Sequence, residues 1–356
     1  MKNNLVNKTQ NTGLWSIDSG QLKILVTGGL GYIGSHTVVE LIQNGFEVEI
    51  IDDLSNSNLH VLDGIENITK VRPLFHQIDL KDKKAVQTIF LNKNFSGIIH
   101  FAASKAVGES NEKPLEYYEN NIYGLLNLLN AIRDNNCNNL IFSSSCTVYG
   151  QADFLPIDEN ATLKMPESVY GKTKQMGEII IQDFGKAMNV NSIFLRYFNP
   201  IGAHKSLEIG ELPNGIPNNL IPFVTQTASG IRKKLMIFGN DYDTIDGTCI
   251  RDYIYVGDLA NAHVKALNRL LENKNELQNE CFNLGTGNGN SVLEVVSAFE
   301  KANNVNVPFE FAPRRKGDIV SAWANPNLAK EKLNWEANTP LDESLRTCWE
   351  WQKKIS

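Results

Sequence analysis

The stretch ILVTGGLGYIGSH, residues 24 to 36, decides the fold of this chain, because an apolar run leads into three glycines spaced three apart. A strand, a glycine-rich turn and a helix bring the free N–H groups and positive dipole end of the helix to the edge of a sheet, where diphosphates bind. Gly28 is expected to allow the tight turn, and Gly31 is expected to let the backbone approach the pyrophosphate closely. Gly34 is expected to let the helix pack closely on the strand. An ordinary strand-to-helix turn is the alternative, since the glycine pattern alone is not specific.

The second apolar run ends in Asp52, followed by Asp53 and by no nearby arginine. A carboxylate here can accept hydrogen bonds from an adenosine ribose and would repel a 2′-phosphate, so the sequence favours NAD over NADP. A simple turn residue at the strand end is the alternative for Asp52. Asp79, after the run LFHQI, is predicted either to cap the next helix or to contact the adenine.

Short apolar runs alternate with helical patterns along the first part of the chain. The runs are KILVTG at 23, FEVEIID at 46, GIIHFAA at 97, NLIFSSS at 139 and NSIFLRYFN at 191. This alternation predicts an α/β fold, with a doubly wound parallel sheet of the Rossmann type, as a cofactor-binding domain over residues 23–196. Frequent Pro and Gly after residue 197 predict a smaller α/β lobe over 197–356, some of whose segments return to the first domain. Residues 1–22 are polar and are interpreted as an extension.

Three local signals concern the helices. The pattern SHTVVELIQNG ends at Gly45, which is predicted to form a left-handed C-cap. Residues 114–136 give the longest periodic helix candidate. Ser291 and Glu294 have the spacing of a capping box.

Composition restricts the possible functions. The chain has 356 residues, a formal net charge of -6 and 42% hydrophobic residues. It supplies no basic face for nucleic acid and no apolar run of membrane-spanning length, so we expect neither nucleic acid nor a membrane as a partner. The five cysteines are scattered and odd in number, which predicts no disulfide framework, no metal site and a cytoplasmic protein. The basic cluster PRRKGD, residues 313–318, is either a surface turn or a site for a small anion.

A hydroxyl and amine pattern suggests the chemistry. Tyr170 and Lys174 are four residues apart, so both lie on one helix face, and an ammonium near a phenol favours the phenolate. With the positive charge of an oxidised nicotinamide, we expect the pKa of Tyr170 to fall toward neutrality, which makes it a candidate general base. An exposed helix pair is the alternative. In FSSSCTVYG, Ser145 follows the end of a predicted strand and completes a Ser/Tyr/Lys set, whereas Ser143 and Ser144 are interpreted as structural.

From about Lys23 onward the sequence resembles the extended short-chain dehydrogenase/reductase family, and within it the epimerases that invert C4 of UDP-glucose and UDP-galactose. The motifs that carry the resemblance occur in order: TGGLGYIGSH, HFAASKAVGES, PLEYYENN, SSSCTVYG, YGKTK, RYFNPIGAH, GIPNNLIP, IFGNDY, GTCIRDYI, NLGTGNGNSV and FAPRRKGD. They cover nearly the whole chain.

The resemblance implies a set of site residues. The catalytic set would be Ser145, Tyr170 and Lys174. The NAD site would be lined by Gly28, Gly31, Tyr32, Ile33, Gly34, Asp52, Asn56, Ser57, Asp79, Leu80, Phe101, Ala102, Lys105, Asn120, Tyr170, Lys174, Tyr197 and Phe198. The UDP-sugar would be bound by Lys105, Ser145, Tyr170, Asn199, Asn219, Leu220, Phe238, Arg251, Tyr253, Arg315, Asp318 and Ala322. Arg251 and Arg315 would then clamp a diphosphate, which favours the anion interpretation of PRRKGD.

The implied reaction is an internal redox cycle. Tyr170 would take the 4-hydroxyl proton, C4 would lose a hydride to NAD, and the 4-keto sugar would rotate and regain the hydride on its other face. NAD would stay tightly bound and be regenerated within each turnover. The resemblance also implies a homodimer that pairs through the helix at 114–136 and the helix that carries Tyr170.

Two positions depart from the family pattern. Asp53 stands where the family often has Asn, which would alter a ribose contact without changing the choice of NAD. Ala322 precedes Trp323, at a position where a bulky tyrosine restricts the family's sugar pocket to hexoses and a small residue admits N-acetylated sugars. We therefore expect interconversion of UDP-GlcNAc and UDP-GalNAc as well, unless another residue fills the space.

Other functions are possible. A nucleotide-sugar 4,6-dehydratase shares the fold, but it would need an acid and a base where this chain has Cys146 and Thr147. Another nucleotide-sugar epimerase, or a non-catalytic NAD-binding sensor, would also fit the fold.

Overall fold

The computed structural model describes residues 21–135, 137–217, 219–315 and 317–356. The predicted extension, residues 1–22, lies outside the described residues except for its last two. In chain order the elements are β1 (Lys23–Thr27), α1 (Tyr32–Gln43), β2 (Glu47–Asp52), α2 (His60–Thr69), β3 (Leu74–Gln77), α3 (Lys83–Phe90), β4 (Gly97–His100), α4 (Val107–Glu112), α5 (Pro114–Tyr118), α6 (Gly124–Asp134), β5 (Asn139–Ser143), α7 (Val169–Met188), β6 (Asn191–Tyr197), β7 (Asn199–Ile201), α8 (Leu220–Ala228), β8 (Leu235–Phe238), β9 (Ile250–Arg251), β10 (Tyr253–Tyr255), α9 (Val256–Leu271), β11 (Asn279–Leu284), β12 (Asn290–Ser291), α10 (Val292–Asn303), β13 (Phe309–Ala312), β14 (Ser321–Ala322), α11 (Asn327–Leu333) and α12 (Leu341–Ile355).

A seven-stranded parallel sheet lies at the centre, in the order β11-β6-β5-β4-β1-β2-β3. Strand order reverses beside β1, because β2 and β3 lie on one side of it and β4, β5, β6 and β11 on the other. Strands β1, β4 and β5 are buried at nearly every position, as expected for a parallel sheet that is covered on both faces. The predicted α/β, doubly wound fold is confirmed.

The five apolar runs singled out in the sequence form β1, β2, β4, β5 and β6. Several runs extend past the strand; the run from Gly97, for example, continues three residues beyond His100. The extra residues turn at the carboxyl edge of the sheet, which is where ligands bind in this type of fold.

Two segments from beyond residue 197 lie within the same layered unit. β11 hydrogen-bonds with β6 along Asn279–Leu284, and α9 packs against α1. The remaining C-terminal elements form three small sheets, β10-β7, β12-β9-β14 and β13-β8, and a separate apolar cluster that includes Val224, Phe299 and Leu345.

Most of the local helix predictions are confirmed. Gly45 has a φ of 86°, and Ser291 with Glu294 forms a capping box at the start of α10. The predicted helix at 114–136 is α5 and α6 joined by a π-helical stretch, Glu119–Tyr123; Asn136 lies outside the described residues. A cap at Asp79 was wrong: the carboxylate of Asp82 accepts the N–H groups of Lys84 and Ala85 at the start of α3.

All five cysteines are free thiols. In the part of the chain that the structure describes, no helix is both long and apolar enough to cross a membrane. Nor do three or more His, Cys, Asp or Glu side chains among those residues gather in a way that would hold a metal ion.

Candidate active site

The glycine turn between β1 and α1 is built by close backbone contacts. Gly28 has a φ of 71°, and a Cβ there would lie 2.7 Å from the backbone nitrogen of Ala102. A Cβ on Gly34 would lie 2.1 Å from the carbonyl oxygen of Gly28, so only glycine lets the helix start against the turn. Gly31 is the N-cap of α1 and provides no side-chain cap, which leaves the first N–H groups of the helix, including those of Tyr32 and Ile33, without a side-chain acceptor at the cap.

Asp52 lies beside this turn at the end of β2. Its carboxylate accepts hydrogen bonds from Leu30 N (3.1 Å), Leu54 N (3.0 Å) and Ser57 Oγ (2.7 Å). Burial raises the pKa of this carboxyl, while the three donors oppose the shift. Asp52 therefore ties the glycine turn to the loop after β2, and the turn-residue role is compatible with a ligand role.

The other residues predicted at the cofactor lie around the carboxyl ends of β1, β3 and β4. The N–H groups of Phe101 and Ala102 both donate to Thr27 O. The Lys105 ammonium lies 6.0 Å from the ring centre of Tyr32. Asn120 Nδ2 donates to Ser104 Oγ (3.2 Å), so it lies beside the loop that carries Lys105.

Three further predicted residues are less tightly connected. Asp79 accepts the N–H of Lys81 at 2.8 Å, and Leu80 packs against Gly124 on α6. Asn56 is exposed.

Ser145, Tyr170 and Lys174 lie together beneath the end of β5. Ser145 begins a short 3-10 helix, and its Oγ accepts from Thr147 N (3.2 Å) and Thr147 Oγ1 (3.0 Å). Tyr170 is 8% exposed and Lys174 4%, so the exposed helix pair considered as an alternative was wrong. Lys174 Nζ donates to Ser143 O at 2.6 Å and lies 5.9 Å from the Tyr170 ring centre.

Burial dominates the titration of this set. It lowers the pKa of Lys174 to about 7, and the Glu178 carboxylate partly opposes that shift. Burial raises the pKa of Tyr170 well above its usual range, with a smaller contribution from Tyr197, whereas the interaction with Ser145 lowers it. The expected fall of the Tyr170 pKa is therefore not produced by the chain's own groups; it needs further positive charge beside the phenol.

Tyr197 and Phe198 follow the end of β6. Tyr197 Oη and Ser143 Oγ are 2.5 Å apart, and burial raises the pKa of Tyr197 to about 12. Phe198 is buried in a small apolar cluster with Val148 and Ala322. Phe198, predicted at the nicotinamide, and Ala322, predicted as the sugar gate, therefore belong to one cluster, whereas Tyr197 packs in the larger core cluster.

The two arginines predicted to clamp a diphosphate share one carboxylate. Arg315 Nη2 lies 2.8 Å from Asp318 Oδ1, and Arg251 Nη2 lies 4.0 Å from the same oxygen. The Asp318 side chain is 9% exposed, that of Arg251 15% and that of Arg315 45%. One largely enclosed carboxylate therefore bonds to Arg315 and lies near Arg251, and the three side chains together leave a net positive charge. The cluster PRRKGD is thus more than a free surface turn, although Lys316 lies outside the described residues.

Of the remaining predicted substrate residues, Phe238 and Tyr253 lie near these arginines, whereas Asn219 and Leu220 lie at the start of α8. Asn199 pairs with Tyr253 across β7 and β10, and Arg315 lies 5.8 Å from the ring centre of Phe238. Asn219 Nδ2 donates to Glu211 Oε1 at 2.7 Å, immediately before Leu220 begins α8.

Four polar residues that were not predicted as site residues occupy central positions. Glu178 forms a buried ion pair with Arg196, and Glu211 contacts both Asn219 and Lys105 (3.5 Å). Buried Asn121 connects Ser104 with Thr173 Oγ1 (2.9 Å) on the catalytic helix. Spacing offers a signal for Glu178 alone, since it continues the four-residue interval of Tyr170 and Lys174 along one helix face.

Comparison with known proteins gives a consistent result. The family described as GDP-mannose 4,6 dehydratase matches residues 25–348. A UDP-glucose 4-epimerase of Dictyostelium discoideum is 49% identical over 331 residues, 93% of this chain and 95% of that protein.

Solved structures agree in fold. A Stenotrophomonas maltophila UDP-glucose 4-epimerase with bound NAD and formylated UDP-arabinopyranose has a TM-score of 0.90 at 44% identity, covering 94% of this chain and 99% of the other. The UDP-Glc/GlcNAc 4-epimerase of Campylobacter jejuni has a TM-score of 0.80 at 35% identity, with coverage of 94% and 99%.

Proposed function

The chain belongs to the GDP-mannose 4,6 dehydratase family and, within it, to the UDP-glucose 4-epimerases, and from this membership we propose which of its residues carry the reaction. It is an isomerase that acts on a UDP-sugar with NAD as cofactor. We assign the inversion at C4 to Ser145, Tyr170 and Lys174. The observation that supports this assignment is the burial of Tyr170 and Lys174 on one face of α7, against the end of β5 that carries Ser145.

The residues around the glycine turn fit a dinucleotide. The turn admits no Cβ at Gly28 or Gly34, the N-terminus of α1 has no side-chain cap, and Asp52 is held as a hydrogen-bonded carboxylate beside it. Tyr32, Ile33, Phe101, Ala102, Lys105 and Asn120 would complete the site from the neighbouring strand ends. When bound, NAD supplies the hydride acceptor and donor for C4, so the sugar passes through a 4-keto form.

Tyr170 would act as the general base that takes the proton of the 4-hydroxyl group. Ser145 would orient that hydroxyl, since its Oγ lies at the carboxyl end of β5. Lys174, buried and near the phenol, would supply the positive charge that the Tyr170 phenolate needs. The low pKa that burial gives Lys174 means that it holds this charge only weakly by itself.

The UDP end of the substrate would be held by the arginine pair. Arg251 and Arg315, fixed by Asp318, present a net positive charge that suits a diphosphate. Asn199, Asn219, Leu220, Phe238 and Tyr253 would complete the nucleotide site. Binding energy at the nucleotide, remote from C4, retains the keto sugar while leaving the hexose free to rotate.

We also propose that N-acetylated sugars are accepted, so that UDP-GlcNAc and UDP-GalNAc interconvert. Ala322 supports this, because it is a small residue in the same buried cluster as Phe198. The Campylobacter jejuni UDP-Glc/GlcNAc 4-epimerase shows that both sugars occur among similar proteins.

A homodimer is proposed through the helices at 114–134 and 169–188. Large apolar side chains are exposed on both: Leu115 (77%), Tyr123 and Leu126 on the first, and Met176 and Ile179 (53%) on the second. A fully polar face would have opposed dimerisation. Light scattering after gel filtration should give twice the monomer mass, and Ile179→Glu should shift the measured mass toward that of the monomer.

The five free thiols support a cytoplasmic location.

The experiment that tests the function is proton NMR on the purified chain with UDP-glucose and, separately, UDP-GlcNAc, with no cofactor added. Conversion of both substrates to their galacto forms is expected. Conversion of UDP-glucose alone would contradict the gate. Loss of H5 into solvent with formation of a 4-keto-6-deoxy product would indicate a dehydratase, and bound NAD without any turnover would indicate a sensor.

A further inference from the structure

Behind the proposed catalytic set lies a buried ion pair between Glu178 and Arg196. Glu178 is one helical turn after Lys174 on α7, and Arg196 immediately precedes Tyr197 on β6. The Arg196 guanidinium donates to the Glu178 carboxylate in a bidentate arrangement, with Nε to Oε1 at 2.9 Å and Nη2 to Oε2 at 2.6 Å. The two side chains are 6% and 2% exposed.

The pair is connected to the end of each neighbouring strand. Ser144, next to Ser145, donates its hydroxyl to Glu178 Oε1 at 2.5 Å. On the other side, Arg196 Nη1 donates to Tyr149 Oη (3.0 Å), which in turn donates to Asn283 Oδ1 on β11 (2.7 Å). The network therefore joins the helix that bears Tyr170 and Lys174 to β6, to β11 and to the residue that follows β5.

Stability alone does not account for this arrangement. Removing two charges from water costs several kcal/mol per ion, and replacing a buried pair by apolar residues of similar volume is often neutral or stabilising. Apolar residues would, however, lose the direction that a bidentate pair imposes. Tyr170 and Lys174 share a helix with Glu178, and Ser145 is next to Ser144, whose hydroxyl donates to Glu178. A small shift of α7 on the sheet would therefore misalign all three.

The pair also bears on the charge of Lys174. The groups that face Lys174 are Tyr170 and Glu178 on its own helix, neutral His100 on β4 and the Ser143 carbonyl on β5, and the Tyr197 phenol at the end of β6 contacts Ser143. Among these described groups, Glu178 is the carboxylate whose charge favours protonated Lys174.

We propose that Glu178 and Arg196 form a positioning pair for the epimerase reaction, which fixes α7 against β5 and β6 and keeps the ammonium of Lys174 charged. This inference rests on the proposed roles of Ser145, Tyr170 and Lys174. Neither Glu178 nor Arg196 is assigned contact with the substrate; each acts through a neighbouring residue.

The chain offers a matched control. Arg269 on α9 and Glu280 on β11 form another bidentate helix-to-strand pair, with distances of 2.6 and 2.8 Å and both side chains 8% exposed. This pair is connected to Glu276 and Lys332 and to none of the proposed site residues.

The test compares two double variants in UDP-glucose turnover and thermal unfolding. The first carries Glu178→Leu and Arg196→Leu, and the second, the control, carries Arg269→Leu and Glu280→Leu. For the first we expect a fall in kcat of roughly 100-fold with KM within about twofold, because misalignment of reacting groups by about 1 Å has effects of this size. The control is expected to keep its kcat within about threefold. Equal losses in both variants, or an unchanged kcat in the first, would overturn the proposal.

A single variant keeps the test decisive if a double variant fails to fold. Glu178→Gln retains the shape and hydrogen-bonding capacity of the side chain but removes its charge, so the alkaline limb of the kcat profile should move to lower pH by on the order of one unit. Glu280→Gln should leave that limb in place. An unmoved limb in Glu178→Gln contradicts the proposed electrostatic role. Absence of turnover in the unaltered chain would instead refute the proposed function, and this inference with it.

Discussion

Ala322 lies directly opposite Arg251 in the short parallel pairing of β14 with β9. The side chain of Ala322 is 2% exposed and packs in the cluster that contains Val148 and Phe198. The strand pairing therefore places Arg251, proposed to bind the diphosphate, beside Ala322, proposed to limit the size of the sugar. The distance between the nucleotide and the gate is fixed by strand geometry rather than by a flexible loop.

Ala322→Tyr should narrow the substrate range. A phenol at this buried position occupies space beside the sugar pocket, so kcat/KM for UDP-GlcNAc is expected to fall at least about tenfold relative to that for UDP-glucose. The measurement is the ratio of the two kcat/KM values, with UDP affinity and thermal unfolding as checks on overpacking. A ratio equal to that of the unaltered chain would show that other residues define the pocket.

Tyr170→Phe should abolish turnover without loss of the fold. The substitution removes only the hydroxyl, so we expect kcat to fall by about 10²–10⁴-fold, as for other general bases, while affinity for UDP stays within a few-fold. Tyr123→Phe removes a hydroxyl from an exposed tyrosine on the 114–134 helix and serves as the control. Substantial activity in Tyr170→Phe would mean that another group takes the proton.

Gly34→Ala should prevent NAD binding. The added methyl group would lie 2.1 Å from the carbonyl oxygen of Gly28, a backbone atom that cannot rotate away, so the turn must open. We expect purified Gly34→Ala to lack bound NAD by absorbance after denaturation and to unfold at lower temperature. Gly108→Ala is the control, because among the described residues its methyl group would meet no atom within 4 Å outside its own helix backbone and chain neighbours. Retention of NAD by Gly34→Ala would argue against this turn as the cofactor site.

The sequence was sufficient for the five inner strands of the sheet, because an inner parallel strand is buried on both faces and forms a continuous apolar run. The edge strands β3 and β11 are less completely buried and were not among the runs singled out. The sequence was also sufficient for turns and caps whose residues act locally, such as Gly45 and the Ser291–Glu294 box. The error at Asp79 is of a different kind, since two aspartates three residues apart compete for one helix start and only backbone geometry selects Asp82.

Long-range polar pairs could not be predicted in the same way. Arg196 and Glu178 are separated by a helix end and a strand, and nothing in their spacing shows that they meet. The Tyr170 pKa was expected to fall through Lys174 and an oxidised nicotinamide together, and this stays a prediction for the NAD-bound chain. The sequence does not show how far burial alone disfavours the charges of Tyr170 and Lys174. Burial is a property of the whole fold, so side-chain titration could be assessed only once the fold was known.

Three buried histidines make stability depend on pH. Burial lowers the pKa of His36 and His100 to about 3 and that of His263 to about 4. The unfolded chain binds protons at these positions near pH 6.5 while the folded chain does not, so the stabilisation is complete above pH 6.5 and is lost as pH falls toward the folded values. Protonation of the unfolded chain at each of these histidines should lower the free energy of unfolding at pH 5 by about 2 kcal/mol, relative to its value above pH 6.5.

Urea unfolding between pH 7.5 and 5, with NAD occupancy held constant, should therefore show stability falling below pH 6.5. His263→Gln should reduce that dependence by about a third, since it removes one of three comparable contributions and its side chain can still donate to the Leu259 carbonyl that accepts from His263 Nδ1. His60→Gln is the control, because the His60 side chain is 89% exposed. If stability stayed flat between pH 6.5 and 5, the buried imidazoles would have to be protonated in the folded chain. The Nε2 atoms of His36 and His263, which have no hydrogen-bond partner among the described residues, would then need acceptors.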